Sequence, residues 1–269
     1  SEDCLDWSES KGMIEIAKAQ EEMMKILKWF HYFCEKNHLH YTLYSGSLIG
    51  AIRHQDFIPW DDDVDVIMPA KDYFKCCELL SEEEEYEFLS IFNNKEYFTS
   101  TISKLLSEEY KREERNFPLR QKMGIGIDIW SLGGFPNDIS DQKVFSDNME
   151  KIGNEWKEKV VIPYGTSLFC KKDYEQLVKK IKETILKYDL ADSRWVSCIY
   201  CGTFGFNHGR SRVMLKEDYI NRHLTKFETE EFWIPDGYDK ILKADYGDYM
   251  ILPLEEKRES KKMRVYQLG

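Results

Sequence analysis

The stretch "LYSGSLIGAIRHQDFIPWDDDVDVIMP", residues 43–69, decides how the chain is read. Asp61, Asp62, Asp63 and Asp65 fall within five positions, between the apolar Ile58-Pro59-Trp60 and Val64, Val66, Ile67 and Met68. Side chains two apart in a strand point the same way. A strand over 63–68, with extended chain starting early, puts Asp61, Asp63 and Asp65 on one face. It turns Asp62 away and sends Val64 and Val66 into the core. Carboxylates so spaced, about 7 Å apart, repel by roughly 2 kcal/mol at an effective dielectric near 20. A divalent cation relieves that repulsion, and carboxylates converging with substrate phosphates are a usual magnesium environment. Two such ions bridged by carboxylates suit in-line displacement at phosphorus. A calcium loop is excluded: its glycine position holds Val66 and its terminal glutamate position holds Asp72.

The upstream residues add what a phosphate site needs. Gly46 permits a tight turn, and Ser47 is placed to cap a short helix over 48–53 whose free N–H groups face an anion. Further along, "GIGIDIW" (124–130) alternates with period two and places Asp128 on the face that carries its glycines.

The chain has 269 residues and a formal net charge of −11, which argues against a nucleic-acid partner. No apolar run reaches membrane-spanning length, and "SEDCLDWSES" lacks the order of a signal peptide. Seven cysteines, an odd number without a secretory signal, imply free thiols in a reducing compartment. Cys198 and Cys201 read as buried thiols rather than zinc ligands, and Glu82 to Glu85 as a solvated loop. Periodicity predicts helices over 13–36, 70–80, 140–160, 171–189 and 238–246. It predicts strands over 41–44, 87–92, 99–105 and 124–130 and within 225–234. Gly133-Gly134-Phe135-Pro136 reads as a boundary between a catalytic core (13–135) and a more helical C-terminal part (136–269) that completes the cleft. The fold class expected is α/β (α+β), a mixed sheet flanked by helices.

A Gly-Ser turn, an Asp-x-Asp strand and a third aspartate on a neighbouring strand resemble the nucleotidyltransferase fold shared with polymerase beta. "YSGSLIGAIRHQDFIPWDDDVDVIMP", "GIGIDIWSLGGFP" and "DGYDKILKADYGDYMILPLEEKR" resemble blocks of the LicD family, whose animal relatives include fukutin and fukutin-related protein. The resemblance covers roughly residues 13 to 258. It implies transfer of phosphocholine from CDP-choline to a sugar hydroxyl of a surface glycan precursor, of teichoic acid or lipopolysaccharide type, with release of CMP. By position it implies a metal triad of Asp63, Asp65 and Asp128, with Asp61 as an added ligand for Mg2+ or Mn2+, two ions being expected. Gly46 and Ser47 would hold donor phosphate, and Asp128 would take the acceptor's proton. Arg53 and Arg258, with Lys257 beside it, are candidate clamps for the phosphate that leaves with CMP. Trp60, Trp130, Tyr246 and Tyr249 are candidates for a cation–π wall around choline, and His208 is a candidate substrate contact. The acceptor is expected to be lipid-linked. The enzyme is expected in the cytoplasm, where CDP donors are found, at most peripheral at the inner membrane face. The rival readings are another CDP-linked donor such as CDP-ribitol or CDP-glycerol, nucleotidyl transfer from a triphosphate, or a nucleotide-binding module without turnover.

Overall fold

The computed structural model describes residues 10–13, 15–93, 100–114, 124–202, 205–207, 213–258 and 263–268. The first half runs β1 (Ser10–Met13), α1 (Ile16–Lys36), β2 (Thr42–Leu43), α2 (Ser45–Ile49), β3 (Val64–Pro69) and α3 (Ala70–Leu80), then β4 (Glu87–Leu89), β5 (Ser103–Leu106), β6 (Tyr110–Glu114) and β7 (Gly126–Phe135). The second half runs α4 (Ile139–Trp156), α5 (Lys171–Ile185), β8 (Trp195–Gly202), β9 (Gly205–Asn207), β10 (Met214–Leu215) and α6 (Lys216–Ile220). It ends with β11 (Arg222–Phe227), β12 (Glu230–Pro235), α7 (Tyr238–Tyr246) and β13 (Met263–Leu268).

The mixed α/β architecture is organised around β7. One edge of that strand pairs in parallel with β3, from Val64 opposite Ile127 to Pro69 opposite Leu132. Its other edge is shared: antiparallel β5 takes the first part and antiparallel β8 the second. β2 pairs with the outer edge of β3. Two smaller antiparallel sheets lie apart from it, β1-β13-β6 and the β11–β12 hairpin.

Period-two alternation sorts the two faces. Val64, Val66 and Met68 of β3, with Ile127 and Ile129 of β7, enter the main core. α1 packs there through Met23, Ile26, Leu27, Phe30 and Cys34, a stripe spaced by threes and fours. On the opposite face Ile67 and Leu132 join Tyr219 of α6 and Ile241 of α7. The acidic residues stand on this second face.

The sequence-based expectations hold for α3 and α7, whose ends fall where periodicity put them. Others need correction, among them the helix expected over 171–189, which ends at Ile185, and the strand expected over 87–92, which ends at Leu89. The first helix starts at Ile16, because Ser10–Met13 pairs with β13 as a strand. The helix expected over 48–53 begins earlier, as α2 at Ser45, and continues as a π-helical turn, Gly50–His54. The run Gly133-Gly134-Phe135, expected at a boundary, ends β7 and pairs with Ser197, Val196 and Trp195 of β8. One sheet therefore takes strands from both sides of residue 135. The glycines serve close packing: a Cβ on Gly133 would lie 2.2 Å from Ile199 Cδ1, and one on Gly134 would lie 2.4 Å from the Tyr188 carbonyl oxygen.

Cys198 and Cys201 are buried free thiols, as expected. Three residues apart on β8, they belong to clusters on opposite faces of the sheet and cannot share a metal ion. Glu82 to Glu85 are exposed. His208 lies outside the described residues. Among the described residues, no helix is long and apolar enough to cross a membrane.

Candidate active site

Direct register on neighbouring strands puts Asp65 beside Asp128, on the sheet face away from the main core. Asp65 is held on three sides. Its N–H donates to Ser47 Oγ at 2.9 Å, its carbonyl accepts the Tyr44 N–H at 2.9 Å, and its Oδ1 accepts the Trp130 indole N–H at 2.7 Å. Trp130 lies two residues past Asp128, on the same face of β7, and meets Tyr44 and Tyr200 edge-on at ring-centroid distances of 5.7 and 5.3 Å.

Asp61 and Asp63 reach the site by a different route from strand alternation, because β3 begins only at Val64. Residues 58–63 curl: the Asp61 N–H donates to the Ile58 carbonyl at 2.8 Å. The Gln20 amide of α1 ties the curl to the helix through the carbonyls of Ile58 and Asp61, at 3.1 and 2.9 Å. The curl also overturns the expectation that Asp62 points away. Asp62 is buried, and it offers a carboxylate oxygen that lies, with those of Asp61 and Asp63, within a mutual span of 4.8 Å.

Gly46 and Ser47 also act differently from a turn and a cap. The residue in left-handed conformation is Ser45, with φ 52°, and its hydroxyl pairs with the Tyr246 hydroxyl at 2.5 Å. Gly46 is helical. A Cβ there would lie 2.8 Å from Asp61 Oδ2, so the bare backbone makes room for that carboxylate. Ser47 makes no cap for α2; it is buried, and its hydroxyl receives the Asp65 N–H.

Burial is the main force on the acidic groups. It pushes Asp61 up to about 8, with Asp63 and then Asp62 adding to the effect. It raises Asp65 well above the usual carboxylate range, with Asp63 and Asp128 adding and the Trp130 hydrogen bond opposing. All-oxygen donors, crowded until they resist ionisation, match the preference of hard cations such as Mg2+ and Mn2+. The sign of the resulting pH effect follows. Asp61 has a folded-state pKa above its unfolded value near 4, so between about pH 4 and 8 the native state binds the extra proton. Stability is highest at the acidic side of that window and is lost as pH rises through 8. In chelator, the unfolding free energy is expected to fall by about 1 kcal/mol from pH 7 to pH 8, a window below the titration of the buried thiols. Denaturant unfolding at the two pH values checks this. Excess Mg2+ or the Asp61→Asn substitution should flatten the profile, and an unchanged slope in both would exclude Asp61 as its source.

Arg53 and Arg258 lie near one another, and Arg258 lies near Trp60. Arg53, in the π-helical turn, donates to the Tyr249 carbonyl at 2.5 Å and to His54 Nε2 at 3.0 Å. Arg258 donates to the Pro253 carbonyl at 2.7 Å, and its guanidinium lies 6.0 Å from the ring centroid of Trp60, the residue before Asp61. Burial, and then the like charge of Arg258, lower Arg53 from the usual guanidinium range. Lys257 is exposed. Tyr249 is buried, and its hydroxyl donates to Asp239 at 3.0 Å.

Two contributors escape a reading of the sequence. Lys104 of β5 is 5% exposed and donates to both oxygens of Asp128, at 2.7 and 2.9 Å. Gln20 sits on the flank of α1's apolar stripe, with nothing local to mark it.

A mixed α/β sheet thus carries two strand aspartates in direct register on one face, beside a cluster of three more. The chain belongs to the family described as LicD/FKTN/FKRP, nucleotidyltransferase domain, whose model matches residues 38–176. It is 27% identical over 257 residues to lipopolysaccharide cholinephosphotransferase LicD of Haemophilus influenzae, a match covering 90% of this chain and 94% of that protein. An uncharacterized protein of Rickettsia prowazekii is 35% identical over 63 residues, 23% of this chain and 24% of its own length.

Proposed function

We propose that this protein is a phosphotransferase that moves phosphocholine from CDP-choline to a sugar hydroxyl of a surface glycan precursor and releases CMP. The carrying observation is the in-register pair Asp65–Asp128 beside the crowded carboxylates of Asp61, Asp62 and Asp63. The end-to-end similarity to a cholinephosphotransferase supports it. Asp61, Asp63 and Asp65 would hold a divalent cation, Mg2+ or Mn2+, with Asp128 completing the acidic face. A cation bound there would neutralise charge on the donor's phosphates. Gly46 and Ser47 serve by placing Asp61 and Asp65.

The acceptor oxygen attacks the phosphorus that bears choline. The new P–O bond forms as the bond to CMP breaks, and the pyrophosphate's bridging oxygen leaves on CMP. Arg53 and Arg258 offset the negative charge that accumulates there. The acceptor's proton passes to Asp128, whose lone pairs are not exhausted by one ammonium. Trp130, half-buried and bonded to Asp65, and Tyr200, which meets the Trp130 ring, would offer faces to the trimethylammonium group at roughly 0.5–2 kcal/mol each. The acceptor is taken to be lipid-linked, met by an enzyme working on the cytoplasmic side, where CDP donors are made.

Choline is a permanent cation without hydrogen-bond donors, and ribitol is neutral with several hydroxyls. A ring-lined pocket leaves those hydroxyls unpaired at about 1–3 kcal/mol each. CDP-choline is therefore expected to be used at least about tenfold better than CDP-ribitol, judged by kcat/KM for CMP release with Mg2+. A preference for CDP-ribitol would replace choline by an alditol phosphate as the group transferred. Absence of turnover with either, in a folded protein, would sink the reading.

A further inference from the structure

Among the described residues, large apolar side chains are exposed at consecutive positions in one place, the segment after α7. Met250, Ile251, Leu252 and Leu254 are 51, 68, 44 and 63% exposed, with Pro253 between the last two. Elsewhere among those residues they stand singly, as at Ile139, Ile162 and Leu168, which is ordinary for a protein surface. Four within five positions form a patch on the order of 400 Å². Its rim is polar, with Asp248 on one side and Glu255, Glu256 and Lys257 on the other, all exposed.

The main chain of this segment is prepared for surroundings without water. Arg53 donates to the Tyr249 carbonyl at 2.5 Å and to that of Ile251 at 3.5 Å. Arg258 donates to the Pro253 carbonyl at 2.7 Å, and the Lys257 N–H donates to the Leu254 carbonyl at 2.8 Å. The Ile251 N–H donates to the Asp248 carbonyl at 3.2 Å, and Pro253 has no N–H. A loop that stays in water needs no such partners for these groups. A segment that enters an apolar medium must find them within the protein. Here the apolar side chains point outward while the polar main chain is held from behind.

Size decides between two kinds of occupant. Each side of a stable protein interface buries roughly 800 Å², about twice what this patch presents. A bilayer sets no such minimum, because a few apolar side chains at the boundary of headgroups and acyl chains bind in proportion to the area they bury. Position agrees. Arg258, which grips Pro253, has its guanidinium 6.0 Å from the Trp60 ring centroid, and Trp60 precedes Asp61 of the acidic cluster.

We propose that residues 250–254 form a wedge that enters the interface of a lipid bilayer and seats the protein there. That the acidic site then meets a lipid-linked acceptor rests on the proposed function; the wedge itself does not. The rim carries both signs of charge and the whole chain carries −11, so apolar insertion drives the contact and uncharged lipid suffices.

The test is co-sedimentation of the full chain with phosphatidylcholine vesicles at low and at high salt. Wild type is expected to sediment with the vesicles in both. Ile251→Ser with Leu254→Ser should lower the partition coefficient by at least about tenfold. The separate pair Met250→Ser with Leu252→Ser should fall in the same direction, with circular dichroism confirming that both variants are folded. CMP release from CDP-choline without vesicles should be unchanged in either. Wild type that stays in solution, serine variants that bind as well as wild type, or binding that high salt abolishes would each overturn the proposal. So would a wild type that dimerises by light scattering while the serine variants do not, since the patch would then belong to a second copy. Vesicle binding as expected, with no CMP release by wild type, would sink the proposed function and leave the wedge standing.

Discussion

Asp63→Asn and Asp65→Asn proteins are expected to fold and to lose the proposed phosphocholine transfer by about a thousandfold or more. The substitution keeps shape and removes charge. At Asp65 the Ser47 and Tyr44 contacts go to the backbone and survive, and an amide oxygen can still accept the Trp130 indole N–H. What disappears is the anionic oxygen that would face the proposed cation. Metal assistance at phosphorus contributes several kcal/mol, and each 1.36 kcal/mol is tenfold in rate, so about 4 kcal/mol corresponds to a thousandfold. Metal-free Asp65→Asn should melt no lower than wild type, because a crowded, buried carboxylate has been replaced by a neutral amide. CMP release at saturating Mg2+ and thermal unfolding in chelator measure the two effects. Near-wild-type transfer in both variants would remove these residues from the site.

Asp128→Asn has a different expected signature, a large loss of stability. Its partner Lys104 has a side chain only 7% exposed, and that of Asp128 is 13% exposed. Removing one member of a buried pair costs about 3–5 kcal/mol, because the remaining charge loses its bidentate counter-ion. The double variant Asp128→Asn with Lys104→Met should regain most of that loss, since neither charge is then left alone. Denaturant unfolding of the two single variants and the double measures it. If Asp128→Asn unfolds at the wild-type midpoint, the pair adds nothing to stability. The contrast with Asp65→Asn separates a carboxylate that carries its own counter-ion from one that does not.

Local pattern made part of this site legible. Alternation along "DVDVIM" placed Val64 and Val66 in the core and Asp65 on the other face, and the same period in "GIGIDIW" placed Asp128. Helical periodicity gave α3 and α7 their limits because both follow an amphipathic pattern with clear ends. What stayed hidden depends on contacts between distant segments. The curl over 58–63 needs Gln20 from α1, so the extended reading of Asp61 and Asp62 failed where a tertiary hydrogen bond took over. Gly-Gly at 133–134 looks like a chain break, yet it is strand, because Ile199 and the Tyr188 carbonyl leave no room for side chains. Lys104 was hidden because the register of β5 on β7 spans 24 residues and carries no signal in either segment alone.

Arg53 and Arg258 hold the 249–253 segment by the carbonyl oxygens of Tyr249 and Pro253. A main-chain carbonyl is the same whatever residue bears it. The grip is therefore indifferent to the side chains of Met250, Ile251 and Leu252, all of which point largely into solvent. Substitutions at these three exposed positions would leave the guanidinium contacts behind them in place. Diversification of what the rim touches is uncoupled from upkeep of the charge-bearing interior, which makes residues 250–252 the natural place to graft new recognition onto an unchanged engine.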